Sequence, residues 1–150
     1  MTAPPQLPTQ PTEALTRAVS TFLAAWTTRD PAQRLNQLSA TCTGDVLYRD
    51  PAVRTEGIDA LADHISTFTA QFAGHRIVLT SDVDTHHDVA RFGWTAYHPT
   101  GQPALTGTNT VELTDTGLLH RVIAFFGPLP PRTYTFNASN ASRAGPGNQQ

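Results

Sequence analysis

The chain contains no lysine: its ten basic residues are all arginine, set against twelve acidic residues for a formal charge of −2. Arginines scattered in this way form no basic stripe along the sequence, so the electrostatic footprint of a nucleic-acid binder is missing. Charged residues are only 15% and apolar residues 39%, which excludes a charge-rich disordered chain and a coiled coil. A lone cysteine, Cys42, rules out an internal disulfide framework and fits a reducing compartment. No apolar run approaches the ~20 residues that cross a bilayer. Residues 1–11 have neither a basic start nor an apolar stretch, so no secretory signal is expected and the protein is read as cytoplasmic. No Gly-rich phosphate loop and no Gly-x-Ser-x-Gly elbow occurs, so no nucleotide cofactor is expected. What is present is 150 residues, enough for one domain with a sizeable core.

Pro4, Pro5, Pro8 and Pro11 crowd the start, and a Pro-rich turn after Pro128 leads into Asn, Ser, Ala, Gly and Gln. Residues 1–11 are read as a disordered lead-in, 12–131 as the domain and 132–150 as a disordered tail. Within the domain, Leu15, Val19, Phe22, Leu23 and Trp26 recur at helical spacing. Asp30-Pro31 is a cap followed by a first-turn proline and opens a short second helix with Leu35 and Leu38 inward. Ile58, Leu61, Ile65, Phe68 and Phe72 mark a third helix. A short strand over 46–50 separates the last two helices. Strands over 77–83, 89–98, 104–113 and 118–127 follow, with Asp84 to Asp88 as a polar turn. The order α-α-β-α-β-β-β-β predicts an α+β domain whose helices pack on one face of a mixed, mostly antiparallel sheet.

Strand alternation then picks out polar residues that face inward. Asp50 is in phase with Val46 and Tyr48, so it shares their face. A carboxylate there needs hydrogen bonds, neutralisation or water, and burial of this kind raises its pKa toward the range of a general base or acid. The plainer alternative is a strand-ending residue that accepts backbone hydrogen bonds from the following loop. Asn109 is in phase with Leu105, Val111 and Leu113, so its amide needs a partner, whether protein or ligand. His64 borders the apolar stripe of the third helix and either pairs with Asp50 or lies at the boundary. Tyr48 either orients a ligand oxygen or satisfies a core polar atom. Phe22, Trp26, Phe68, Phe92, Trp94, Val122 and Phe126 are the expected lining of an interior ligand site, or simply core.

Four features carry a family resemblance: Trp26 before Arg29-Asp30-Pro31; Asp45 to Pro51 followed by Gly57; Gly107 to Leu113; and Gly117-Leu118-Leu119 leading to Phe125-Phe126. Their order resembles the nuclear transport factor 2-like superfamily, in particular its SnoaL-like and ketosteroid-isomerase-like members. The resemblance implies a curved sheet wrapped by helices into a cone, an apolar pocket inside, and a homodimer through the outer sheet face. It places Asp50 where the isomerase-like branch has a proton-abstracting Asp, and Asn109 where that branch has a protonated Asp that donates to an enolate oxygen. Phe22 stands where that branch has a second donor, a Tyr, and Phe cannot donate.

Three readings of function stay open, because this fold hosts many chemistries. One is a cofactor-free isomerase or cyclase moving a proton on a hydrophobic carbonyl substrate. In it Asp50 is the base, His64 assists, and Asn109 and Tyr48 hold the oxygen. The second is a non-catalytic module that binds a small hydrophobic molecule or dimerises. The third has a cone filled by its own side chains, with only the outer sheet at work, as a protein interface. No metal is expected: His86 and His87 with Asp84 and Asp88 fall on a hairpin tip without a supporting shell. His75, His98 and His120 are isolated, and Cys42 has no basic neighbour to activate it. Leu119, Ile123 and Phe125 alternate against Val122 and Phe126, so the last strand is expected to be apolar on both faces.

Overall fold

The structure, a computed structural model, describes residues 13–133. The expected lead-in over 1–11, and all but the first two residues of the tail expected over 132–150, lie outside the described residues. Helix α1 spans Glu13–Ala25 and buries Val19, Phe22, Leu23 and Ala25, and Trp26 follows directly. Helix α2 spans Pro31–Thr41. Asp30 caps it, accepting from Ala32 N, and Pro31 takes the first helical position. Helix α3 spans Ile58–Gln71 and turns Leu61 and Ile65 inward. Gly57 opens it at φ 92°, a conformation that penalises any Cβ, and donates its N–H to Val46 O at 2.8 Å.

The inward face of α2 differs from the expected one. Leu35 is 37% exposed, and the buried residues are Arg34, Leu38 and Thr41. Arg34 lies under its own helix, donating to Ser66 Oγ at 2.6 Å and to Thr28 O at 2.5 Å. Its aliphatic stem covers apolar surface while its head serves a carbonyl just past the end of α1. Apolar periodicity cannot anticipate a long cation used in this way.

Strands β1 (Cys42–Arg49), β2 (Arg54–Glu56), β3 (Arg76–Leu79), β4 (Asp84–His86), β5 (Val89–Tyr97), β6 (Pro103–Leu113) and β7 (Leu119–Phe126) complete the fold. They form one curved sheet in the order β2-β1-β7-β6-β5-β3, with β4 added beside β5. β1 runs parallel to β7, and every other pairing is antiparallel. The α+β architecture and the mixed sheet agree with the sequence reading. The short strands β2 and β4 were not anticipated: three polar-rich residues each carry no readable alternation. The strand expected over 77–83 stops at Leu79.

The last strand is apolar on both faces, as expected, with one change of phase. Leu119 is fully buried with Val122 and Ala124, whereas Phe125 is 63% exposed. The register shifts where Glu112 pairs with Arg121 and Leu113 with Leu119. This bulge reverses the phase, so Leu119 joins the core face and leaves Ile123 and Phe125 on the other.

One close approach shapes the inner face. Trp94 on β5 pairs directly with Gly107 on β6, and its indole lies across the glycine. A Cβ at position 107 would come within 2.2 Å of the indole Cζ2 and 2.7 Å of Phe125 O. Gly107→Ala is therefore expected to destabilise the fold by about 1–3 kcal/mol and to displace Trp94. Urea unfolding followed by tryptophan fluorescence checks both, and an unaltered midpoint with an unaltered emission maximum would count against the packing described.

Candidate functional site

β1 delivers Tyr48 to the interior, where it is 2% exposed. The chain then leaves the sheet at Asp50, and the Asp50-Pro51 turn folds back on the carboxylate. Asp50 Oδ1 accepts from Ala52 N at 2.7 Å and Val53 N at 3.0 Å. Oδ2 accepts from Tyr48 OH at 2.8 Å and from His64 Nε2, on α3, at 3.0 Å. The Asp50 side chain is 2% exposed and that of His64 18%. An ionised carboxylate only accepts, so His64 Nε2 carries its hydrogen, and in the neutral ring Nδ1 is the acceptor.

These contacts reverse the expected electrostatics. Burial pushes the Asp50 carboxyl up, but hydrogen bonds from Tyr48, Ala52 N, His64 and Val53 N outweigh it and hold the carboxyl below its ordinary range. Alternation placed the residue inward but could not count the donors waiting there. The same contact keeps Tyr48 protonated. Burial, then the Asp50 hydrogen bond and charge, push its phenol far above the usual value. Tyr48 and His64 thus act on Asp50, and Asp50 has no unused acceptor direction.

The second polar centre is Asn109 on β6, 3% exposed. Its Oδ1 accepts from Trp94 Nε1 at 2.8 Å. An indole nitrogen can only donate, which orients the amide: Oδ1 must face Trp94 and Nδ2 points elsewhere. Nδ2 makes no hydrogen bond among the described residues, and it is not sealed from the adjoining space.

That space is a cavity walled by both tryptophans. Trp26 packs against Tyr48 at 5.3 Å, Phe68 at 5.3 Å and His64 at 5.7 Å between ring centroids. Trp94 meets Phe126 edge-on at 5.9 Å. Of the expected lining, Trp26, Tyr48, Phe68, Trp94 and Phe126 stand on the wall together with Asn109. Phe22, Phe92 and Val122 do not: they are spent in the packed core at 0–2% exposure. Leu23, Ile77 and Ala124 complete the wall. Small or helix-facing aliphatics of this kind give no sequence signal beyond core. The cavity volume is about 20 Å³, against the roughly 10–15 Å³ that one water needs in the same measure. Asp50 and His64 are not on its wall. Tyr48 stands between them and the hollow, so the structure joins Asp50, His64 and Tyr48 into one cluster and Asn109 with Trp94 into another.

The remaining candidates lie apart. Cys42 is buried, and burial raises its thiol to about 11, partly opposed by the Thr41 hydroxyl. Asp84 is engaged by Arg91 at 2.8 Å, and the His86 and His87 rings meet each other at the β4–β5 tip. Among the described residues, no group of three or more His, Cys, Asp and Glu side chains is placed to hold a metal ion, and no helix is long and apolar enough to cross a membrane.

Three helices packed on a curved, mixed, mostly antiparallel sheet define a cone-type α+β domain. The chain belongs to the family of the SnoaL-like domain, whose model matches residues 19–122. Among solved structures, it is similar to a SnoaL-like family member from Agrobacterium tumefaciens named as a candidate isomerase. The identity is 28% and the TM-score 0.72, over 78% of this chain and all of that one. A candidate ketosteroid isomerase from Kribbella flavida shares the fold at 19% identity and TM-score 0.55, over 81% of this chain and 82% of its own. So does a de novo designed protein with a curved β-sheet, at 17% identity and TM-score 0.61, over 79% of this chain and 89% of its own. No curated protein matches the chain.

The carboxylate cluster has a pH signature. A carboxyl whose native pKa lies below its unfolded value, ordinarily about 3.9, stabilises the fold above that pH. The contribution fades as pH falls through the native pKa. Asp50→Asn is expected to cost about 2 kcal/mol at pH 7, the scale of losing charge-assisted hydrogen bonds. The difference from wild type should shrink below about pH 4. Denaturant unfolding of both proteins at pH 7 and pH 3 measures it, and a gap of equal size at both pH values would contradict the assignment.

Proposed function

We propose that this SnoaL-like protein binds a small hydrophobic molecule through its aromatic cavity, with a hydrogen-bond acceptor of the ligand, foremost a carbonyl oxygen, taken by Asn109 Nδ2. One observation carries the reading: Nδ2 is a donor on a residue 3% exposed, and it has no hydrogen-bonding partner among the described residues. A buried donor in an apolar hollow discriminates strongly for a ligand that accepts from it. Because the cavity is close to one water in size, entry of a ligand requires side chains at its wall to rotate, and Phe126, 38% exposed, is the one nearest solvent.

A second reading, cofactor-free proton transfer by an isomerase or cyclase, is favoured by Tyr48, which touches both the cavity and Asp50. The Agrobacterium relative is itself named as a candidate isomerase. Against Asp50 as the base stand its four donors and its lowered pKa, which weaken it as a proton acceptor. One probe separates the readings. Both of the chain's tryptophans line the cavity, so their fluorescence reports occupancy. A flat aromatic ketone such as 2-acetylnaphthalene is expected to bind, and Asn109→Leu to weaken it about tenfold. The same variant should leave 2-isopropylnaphthalene, which has no acceptor, unaffected. Equal loss of both ligands would remove Asn109 from recognition. In D2O, exchange of the ketone's methyl protons faster than in buffer, and dependent on Asp50, would support proton transfer; the buffer rate would leave binding alone.

We also propose a homodimer through the outer sheet face. Phe125, 63% exposed, stands there opposite Thr108. An apolar side chain of that size in the middle of a strand suits burial by a second copy. Phe125→Asp is expected to convert a dimer to a monomer in sedimentation velocity, and a wild-type protein that sediments as a monomer would dismiss the proposal.

A further inference from the structure

Arg49 and Arg54, on either side of the β1–β2 turn, and the sequence-distant Arg121 converge on the edge of the outer sheet face. β1 sends Tyr48 inward, so Leu47 and Arg49 point outward. Arg49 pairs directly across the ladder with Arg54 on the edge strand β2, and next to Ile123 on β7; Leu47 pairs with Arg121. Arg49, Arg54 and Arg121 line, together with Leu47 and Ile123, an open groove of about 90 Å³. Like charges directly opposed on neighbouring strands destabilise a sheet. The carboxylates at hand are Glu112, which pairs with Arg121 at 3.4 Å, and Glu56, which pairs in register with Leu47 and forms no ion pair. The ion pairs among the described residues involve His64, Arg91 and Arg121, and neither Arg49 nor Arg54. A chain of net charge −2 thus collects an excess of positive charge in one groove, with two half-buried aliphatic side chains as its floor.

We infer that this groove is a binding site for the phosphoryl group of a small soluble phosphomonoester with a short aliphatic stem. Guanidinium forks suit oxyanions because they donate paired, parallel hydrogen bonds. Arginines from three different strands line the groove, Arg121 with its Nε on Glu112, and together they offer more donors than a planar carboxylate can take, which suits the three terminal oxygens of a phosphoryl group. An anion between Arg49 and Arg54 also relieves their repulsion, so occupancy and sheet stability are linked. The stem lies along Leu47 and Ile123. The site is on the opposite face of the sheet from the aromatic cavity and at the rim of the face that carries Phe125, so it stands or falls independently of the ligand proposed for the cavity.

The test is thermal unfolding of the full chain with n-butyl phosphate, inorganic phosphate or chloride at constant ionic strength, together with a titration of the arginine Nε–H signals by NMR. Butyl phosphate is expected to raise the wild-type midpoint above chloride, to saturate, and to bind more tightly than inorganic phosphate. Arg54→Gln, which removes the like-charge pair, should hold or raise the midpoint in chloride while weakening butyl phosphate about tenfold, the order of one charge-assisted pair. Arg49→Gln should behave alike, so loss of binding cannot be confused with loss of folding. No stabilisation beyond chloride, a response unchanged in both variants, or equal affinity for the two phosphates would overturn the proposal. Co-sedimentation with phosphatidic acid vesicles while butyl phosphate has no effect would also overturn it, in favour of a membrane headgroup.

Discussion

The fold turns on a buried carboxylate. Asp50 leaves the end of β1 and receives donors from the turn behind it, from Tyr48 two residues before it and from His64 on α3. A charge in that position is tolerable only when its acceptor directions are filled, because the desolvation cost of an unpaired carboxylate exceeds what packing returns. Filling them has structural consequences. The helix is drawn onto the strand end, the Gly57 N–H is set on Val46 O, and the phenol of Tyr48 is turned toward the carboxylate. The cavity wall nearest β1 is therefore a by-product of how one charge is satisfied.

The two inward polar residues then fall into opposite classes. Asp50 is saturated and its pKa is pulled down; Asn109 spends its oxygen on Trp94 and keeps a donor in hand. A group that is fully hydrogen-bonded resists being recruited to chemistry, since any new contact must first break an old one. A half-satisfied amide has the reverse character: it gains by meeting an acceptor and loses nothing. Gly107 makes this arrangement available, because only a residue without Cβ lets the indole lie flat enough to reach Asn109. A fold of this kind hosts many chemistries, so it is the polar residues set into the cone that decide what it can do.

The elements with long, strictly apolar periods were legible in the sequence. α1, α3, β5 and β6 stand close to where their spacing puts them, and the inward facing of Tyr48, Asn109 and Trp94 followed from alternation alone. Legibility failed where a residue's role depended on partners distant in sequence. Arg34 was invisible because its acceptors are Ser66 and a carbonyl past α1. Spacing alone puts Leu119 in phase with Ile123 and Phe125, because a bulge cannot be read from one strand. Phe22, Phe92 and Val122 satisfied the same pattern as Trp26 and Phe68, yet only the latter two line the hollow. Period distinguishes inside from outside; it does not distinguish wall from core.

The sign of the Asp50 shift is the most instructive of these differences, and its cause is general. Burial alone raises a carboxyl, and sequence reasoning sees burial. The countervailing donors come from backbone amides freed by a turn and from two side chains whose positions depend on the assembled fold. Pro51 contributes by having no N–H of its own, which leaves the next two amides, Ala52 and Val53, to converge on Oδ1. An Asp-Pro pair at the end of a strand is thus a device for holding a carboxylate charged. At Asp50, where α3 brings His64, these donors favour retention of the charge. Catalysis at that position requires a ligand that can compete with donors already in place.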